Sequence, residues 1–355
     1  MKSLVRYAAA LFLLVSCSFA AQAAFTSLYV FGDGVSTTTN SPGGSIYYGK
    51  RYCNGRVWVE VLAQWQGLGY DSNKNWSYFG HYSPNLVANV SNFAAPPDAQ
   101  SALFVVWVNN ADFVYDVQNY APYTTNNIAI WTNAINQSIT NHHKVITNLY
   151  AKGARTLIMP NAVDITKTYQ YAGLSSASKS FIRQRIIDFN TAFALTLSNA
   201  AASLAGLKIH VPDAFALLDN ALANPATYGL INPGIDALDD PSLGDYSLNG
   251  PGANYVFWDY LHPTAKFQMV LAEITQQLLS PARISNIVPL TGSNRLDMDN
   301  IPVGRDGFVD GSTNLVNWTP DTNIDSTNTT QTTLVPALDP RRFYRLRFPF
   351  VWSWP

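Results

Sequence analysis

Apolar runs of two kinds alternate along the first three quarters of the chain. Short continuous runs bounded by turn residues are typical of strands buried on both faces. Longer segments with apolar residues three and four apart are typical of helices packed on a core. The predicted strands cover residues 28–31, 103–108, 156–159 and 208–211, and the predicted helices cover residues 57–65, 128–151, 178–204 and 263–279. This alternation predicts an α/β fold, a three-layer sandwich with a parallel sheet between helices.

The pattern changes after Pro281. Long helical patterns stop there, and Gly, Asn, Thr, Asp and Pro become frequent. Short apolar runs at 286–290, 315–318 and 343–348 predict strands separated by turns. The sequence therefore predicts an α/β domain over residues 24–281 and a small β-sandwich-like module over residues 282–355.

The N-terminus has the pattern of a signal peptide. Two basic residues precede an apolar run at 8–15, and Ala21-Gln22-Ala23 follows it. This order predicts a cleaved secretory signal over residues 1–23, and the run is shorter than the roughly 20 residues that span a bilayer. The segment Leu14-Val15-Ser16-Cys17 also resembles a bacterial lipoprotein box, so lipidation of Cys17 is the alternative. We expect an exported protein, secreted, periplasmic or held at the cell surface, without a membrane span.

Composition and charge exclude several classes of function. The chain is 47% hydrophobic with a net charge of −1, which indicates a folded domain without a basic surface for nucleic acid. Cys53 has no partner once Cys17 is removed or lipidated, so we expect a packed, unreactive thiol. His142 and His143 are adjacent on a predicted helix and diverge by about 100°. No metal site and no cofactor are expected, and the oligomeric state is left open.

The first candidate chemistry lies just before the last predicted helix. Asp259 stands three residues before His262 in an aromatic segment. An aspartate so placed can accept a hydrogen bond from one imidazole nitrogen and leave the other nitrogen free as a base. Without further context, an exposed aspartate and a helix-capping histidine would be the better explanation of the pair.

Several further motifs occur in a consistent order around this pair. They are Phe31-Gly32-Asp33, residues 51–58, Asn92-Phe93-Ala94, residues 106–113, residues 149–155 and residues 257–264. Together they resemble the GDSL (SGNH) esterases and lipases over residues 28–279. The resemblance implies hydrolysis of carboxylic esters by a serine nucleophile, with His262 as its base and Asp259 orienting that histidine. It also implies an oxyanion hole built from the backbone N–H of the serine, a glycine N–H and an asparagine side chain.

The position of the nucleophile is altered in this chain. Gly34 follows Asp33 at the place where the resemblance implies serine. The nearest hydroxyl, on Ser36, lies two residues further on, and we expect it to bond to backbone rather than to act as a nucleophile.

The two other implied oxyanion positions are altered as well. Val90 stands where the glycine is expected, and Ala111 stands where the asparagine is expected, just before Asp112. Asn110 can replace that asparagine only if the loop shifts by one residue. The loss of one such donor costs about 3 kcal/mol of transition-state stabilisation.

These departures leave three hypotheses for the function. The first is a catalytically impaired member of the family that still binds an ester or acylated glycan ligand. The second is an active carboxylic ester hydrolase that uses an unusual nucleophile or water activated by His262. The third is a non-catalytic protein that binds glycans or the cell surface. A serine introduced at position 34 is expected to lie within reach of His262.

Overall fold

The computed structural model describes residues 25–40, 43–337 and 339–349. The predicted signal peptide and Cys17 lie outside the described residues.

A parallel sheet of four strands forms the centre of the larger part of the chain. Its strands, in spatial order, are β1 (Leu28–Gly32), β2 (Leu103–Trp107), β3 (Thr156–Ile158) and β4 (Lys208–His210). β1 and β2 are buried along their whole length, as predicted for central parallel strands. On the free side of β1, the N–H of Trp76 donates to the carbonyl of Val30 (2.7 Å) and that of Tyr78 to Gly32 (3.1 Å). A segment around residues 75–78 therefore extends the sheet by one short parallel element.

Helices cover both faces of the sheet, because alternate side chains of a strand point to opposite sides. The helices are α1 (Trp58–Trp65), α2 (Ser83–Asn92), α3 (Asn109–Asn119), α4 (Ile128–Ala151), α5 (Ser176–Ser203), α6 (Ala214–Ala223) and α7 (Ala265–Leu279). Phe31 and Phe104 pack in a core that includes residues of α2, α3, α4 and α5. Val30 and Val105 pack in a second core with α1, α6 and α7. The predicted three-layer α/β architecture is confirmed.

The predicted start of α7 is wrong by two residues. The helix begins at Ala265, and the hydroxyl of Thr264 caps it by accepting from the N–H of Phe267 (3.3 Å). Pro263 therefore precedes the cap instead of lying in the first helical turn.

The last part of the chain forms two antiparallel sheets of three strands. Its strands are β5 (Arg283–Leu290), β6 (Ser293–Asp299), β7 (Gly307–Ser312), β8 (Thr319–Ile324), β9 (Thr330–Pro336) and β10 (Phe343–Arg347), in the orders β5-β6-β9 and β10-β7-β8. They share a small core of their own. The strand predicted at 315–318 is wrong: the hydroxyl of Ser312 accepts from the N–H groups of Asn314 and Leu315, and Leu315 has φ +61°. This local bonding makes a turn of the segment.

The two parts of the chain touch around Arg305 and Val303. The guanidinium of Arg305 pairs with Glu273 on α7 and lies 5.2 Å from the ring centroid of Trp65 on α1. The N–H of Val303 donates to the carbonyl of Trp65 (3.3 Å). The domain boundary near residue 281 stays a prediction.

Candidate active site

Asp259 and His262 form a buried pair in the turn that leads into α7. The N–H groups of Leu261 and His262 donate to Oδ1 of Asp259 at 2.9 and 2.6 Å, which fixes the carboxylate. Nδ1 of His262 lies 3.0 Å from both carboxylate oxygens, and each residue is 2% exposed. An ionised carboxylate only accepts, so Nδ1 carries the proton and Nε2 is left as the basic nitrogen.

The charge of Asp259 depends on these contacts. Burial raises the pKa of its carboxyl, but the attraction of the His262 imidazole, its ring N–H and the two backbone N–H groups outweigh burial and hold the pKa below its ordinary value. Asp259 is therefore an anion at neutral pH and can stabilise a protonated imidazole.

Two tyrosines that the sequence analysis did not single out enclose the pair. The hydroxyl of Tyr47 donates to Oδ2 of Asp259 at 3.0 Å. The ring of Tyr52 stacks on the imidazole with centroids 4.7 Å apart and an interplanar angle of 27°. Burial, together with the nearby charge of Asp259, raises the pKa of Tyr47 above its ordinary value, so this hydroxyl keeps its proton and stays a donor. No short sequence spacing links residues 47 and 259, which explains why the contact was missed.

Gly34 lies directly against the imidazole. A Cβ built on Gly34 would lie 2.5 Å from Nε2 of His262 and 3.0 Å from Cδ2 of Phe79. Gly34 is not among the glycines with positive φ, so its backbone would accept a side chain and only space forbids one. The imidazole cannot move aside freely, because Asp259 holds it. A serine here would therefore reach His262 only if the imidazole shifted.

Asp33 lines the cavity beside His262, and Ser36 does not. Ser36 is fully buried and accepts the indole N–H of Trp58 (2.9 Å), so its predicted structural role involves a side chain and not the backbone. Oδ1 of Asp33 accepts from the N–H of Val35 at 3.0 Å. Burial raises the pKa of Asp33 to about 6, although the Val35 N–H and His262 act in the opposite direction.

A mostly apolar cavity of about 160 Å³ opens beside His262. It is lined by Asp33, Gly34, Val35, Phe79, Gly80, Tyr82, Asn110, Ala111, Val114, Tyr115, Gln118, Val163, Ile165, Thr168, Leu261 and His262. Nε2 of His262 has no hydrogen-bond partner within the described parts of the chain. A basic nitrogen therefore faces an apolar space.

The first turn of α3 brings Asn110 and Ala111 to this cavity. Oδ1 of Asn110 accepts the backbone N–H of Val163 at 2.9 Å. That bond orients the amide so that its NH₂ group is on the other side, where it meets no acceptor among the residues that the structure describes. Ala111 contributes no side-chain donor, and its own N–H bonds to the carbonyl of Val108 (3.0 Å).

Val90 does not reach the cavity. It is fully buried in α2 and belongs to the hydrophobic core. Gly80 lines the cavity instead, with φ +81° and open space where a Cβ would be. Gly80 follows shortly after the short element at residues 75–78 that runs along β1. The apolar pattern of the sequence did not show this element, so Gly80 was not identified as a site residue.

Asp112 also lies apart from the cavity lining. Its Oδ1 accepts the N–H of Ser83 (2.8 Å) and its Oδ2 accepts the hydroxyl of Ser138 (2.5 Å). The carboxyl thus ties α3 to α2 and α4, and burial, opposed by the nearby His142, raises its pKa.

The part of the chain that the structure describes shows no site for metal or thiol chemistry. Burial raises the pKa of Cys53 to about 12, so the thiol stays protonated. Within the described residues, no group of three or more His, Cys, Asp or Glu side chains could hold a metal ion. Over the same ranges, no helix is both long enough and apolar enough to cross a bilayer.

The profile of the GDSL-like Lipase/Acylhydrolase family matches residues 28–275. The chain belongs to this family. No curated protein matches the sequence significantly.

Solved structures similar to this family member include an acetylxylan esterase from Geobacillus stearothermophilus and a GDSL-like lipase from Parabacteroides merdae. The esterase is 10% identical, with a TM-score of 0.42 over 72% of this chain and 94% of the other. The lipase is 10% identical, with a TM-score of 0.43 over 71% of this chain and 94% of the other.

Proposed function

We propose that this protein is an exported member of the GDSL family that binds a carboxylic ester without forming an acyl-enzyme. One observation carries the proposal: the first side-chain atom of any nucleophile at position 34 would lie 2.5 Å from Nε2 of His262. A nucleophile at position 34 would require the imidazole to shift. Ser36 does not replace it, because its hydroxyl is engaged with Trp58 away from the cavity lining.

The cavity supports binding of a short acyl group. A dry cavity of about 150 Å³ holds a molecule the size of benzene, and the cavity here is about 160 Å³. The acyl chain contacts apolar side chains such as Val114 and Ile165, while the amide NH₂ of Asn110 faces the same space as a donor for the carbonyl oxygen. The ligand is an ester of a simple alcohol or of a glycan.

Slow hydrolysis by water is the second candidate, and the unpartnered Nε2 of His262 favours it. A water oxygen adds to the ester carbonyl while Nε2 takes its proton. The tetrahedral intermediate then collapses, and the alcohol leaves with the proton from the imidazolium. Water lacks the positioning of a side-chain nucleophile, so this route is slow.

The proposals of export and of two domains are based on the sequence. We infer that the signal peptide ends at residue 23, so the mature chain starts at Ala24 and comprises residues 24–281 and the C-terminal module. The intact mass of the protein isolated from its native host tests this, and a lipidated N-terminal Cys17 would overturn the cleavage but not the export.

Ligand binding is tested with phenyl butyrate and the variant Ala111→Leu, which fills the cavity. NMR signals of the His262 ring nitrogens report occupancy directly. We expect the ester to shift them in the wild type and in the surface control Ala202→Leu, and to leave them unchanged in Ala111→Leu. Equal shifts in all three proteins, or none in the wild type, would refute binding in this cavity.

A further inference from the structure

A second, larger cavity shares one lining residue with the first. Its volume is about 640 Å³, and Thr168 lines both cavities. The first cavity is mainly apolar, whereas charged and hydroxyl-bearing side chains dominate the second. The two spaces thus differ in chemistry as the two halves of an ester of a polar alcohol do.

One arginine engages both carboxylates in the wall of the second cavity. Nη1 of Arg183 donates to Oδ2 of Asp164 at 2.6 Å and to Oδ1 of Asp219 at 3.1 Å, and Nη2 donates to Oδ2 of Asp219. Asp164 is fully buried and also accepts the N–H and the hydroxyl of Thr166. These carboxylates are therefore occupied as acceptors.

Two lysines of the same wall have weaker partners. Nζ of Lys167 lies 3.9 Å from Asp219, beyond hydrogen-bond range. Nζ of Lys179 donates to the carbonyl of Ala172 at 3.1 Å, a neutral acceptor. Among the described lining residues, three cations face two carboxylates, so the lining carries a net charge of +1.

The remaining lining suits a polyol. The ring of Tyr169 forms part of the wall, and its hydroxyl donates to Oδ1 of Asn232 (2.9 Å). Ser180, the residue after Lys179 on α5, adds a hydroxyl. Hydroxyl groups exchange hydrogen bonds with such side chains, and the face of an aromatic ring accepts the C–H face of a sugar.

We propose that the second cavity binds the alcohol half of the ester, and that this half is a polyhydroxylated molecule carrying a carboxylate, such as a uronic acid residue. The inference rests on the proposed function, because the acyl half must occupy the first cavity. The ester bond then lies near Thr168, the residue that lines both cavities. Lys167 and Lys179 pair with the carboxylate.

A matched pair of neutral and acidic sugars tests the proposal. Calorimetry compares a trimer of galacturonic acid with a trimer of galactose, which differ only in the carboxylates. We expect the acidic trimer to bind about tenfold more tightly at low salt, and the difference to shrink near 1 M salt because screening shortens the range of the interaction to about 3 Å. Lys167→Ala and Lys179→Ala should each weaken binding of the acidic trimer about three- to fivefold, as expected for partly exposed pairs worth up to about 1 kcal/mol.

Two controls separate the possible failures. Lys144→Ala removes an exposed lysine of α4 outside the cavity lining and should change nothing. Phenyl butyrate, which carries no carboxylate, should bind all three lysine variants as it binds the wild type. If it binds and the two trimers bind equally, or if Lys144→Ala acts like the other variants, the inference is wrong while the proposed function stands. If phenyl butyrate does not bind the wild type, the proposed function fails, and an acidic trimer held by the lysines would show an anion site that serves no ester.

Discussion

At the scale of single residues, the site has a base, His262, fixed by Asp259, but no nucleophile at position 34. Asp259 accepts four hydrogen bonds, from two backbone N–H groups, the imidazole and Tyr47. The sequence predicted the pair with His262 and the glycine at position 34. It did not predict that the imidazole would lie against Gly34, because that distance depends on the packing of a turn 225 residues away along the chain.

Restoring a serine should not restore a nucleophile. Gly34→Ser places a Cβ within 2.5 Å of Nε2 unless His262 shifts, and Gly34→Ala does the same without a hydroxyl. Overpacking of this kind costs about 1–3 kcal/mol. We expect both variants to lose that much free energy of unfolding in urea titrations and neither to gain esterase activity. A gain confined to Gly34→Ser would show that the imidazole yields readily.

Tyr47→Phe tests the outer hydrogen bond on Asp259. Removal of a donor to a carboxylate costs about 1–3 kcal/mol, and the lost bond should raise the pKa of Asp259. Since the pKa of Asp259 is depressed in the folded protein, its contribution to stability is present above the unfolded pKa and lost as pH falls through the folded pKa. The destabilisation by Tyr47→Phe should therefore be larger at pH 7 than at pH 3, measured by urea unfolding. An equal loss at both pH values would assign Tyr47 a packing role only.

Asp33 should impose the opposite pH dependence. Its pKa is raised to about 6, so the folded state binds the proton more tightly than the unfolded state, and its contribution to stability falls as pH rises from about 4 through 6. The rise of this pKa from 3.8 to about 6 corresponds to about 3 kcal/mol. Asp33→Asn keeps an acceptor for the Val35 N–H. Its free energy of unfolding, relative to that of the wild type, should be higher by that amount at pH 8 than at pH 4. A pH-independent effect of the substitution would contradict the buried carboxyl.

At the scale of elements, helices and strands with a strong apolar pattern were predicted from the sequence, and those with a weak apolar pattern were not. α4 has the predicted bounds, and the four central strands agree with prediction within one residue at each end. α3 was missed because its first turn, Asn109-Asn110-Ala111-Asp112, is polar, yet three of those residues are buried by tertiary contacts. Gly80 was missed for a related reason, since the element before it bonds to β1 through only a few backbone groups.

Thr264, which caps α7, should stabilise the turn that contains Asp259 and His262. The hydroxyl of Thr264 accepts from the N–H of Phe267 and donates to the carbonyl of Tyr255 (2.7 Å). Thr264→Ala should lower the free energy of unfolding by about 1–2 kcal/mol. Thr264→Ser keeps the hydroxyl and should lower the free energy of unfolding much less. Equal losses in the two variants would show that the methyl group matters and not the hydroxyl.

At the scale of the whole molecule, the sequence indicated two parts but not how they meet. Arg305 reaches from the C-terminal part to Glu273 and Trp65, a contact between residues far apart in sequence. The larger part contains the parallel sheet and both of its hydrophobic cores.

A chain ending at Pro281 should therefore fold cooperatively. Loss of the Arg305 contacts exposes part of Trp65 and should lower the melting temperature by about 2–6 °C. Calorimetry of the truncated protein measures both features. A broad, non-cooperative transition would mean that the two parts share one core.

The central claim is that no acyl-enzyme forms, and the intact mass of the protein after treatment with a serine-directed fluorophosphonate tests it most directly. We predict an unchanged mass for the wild type after prolonged exposure to excess reagent. Stoichiometric addition of one phosphonyl group, absent from His262→Ala, would contradict the account, because it would show an activated nucleophile within reach of His262.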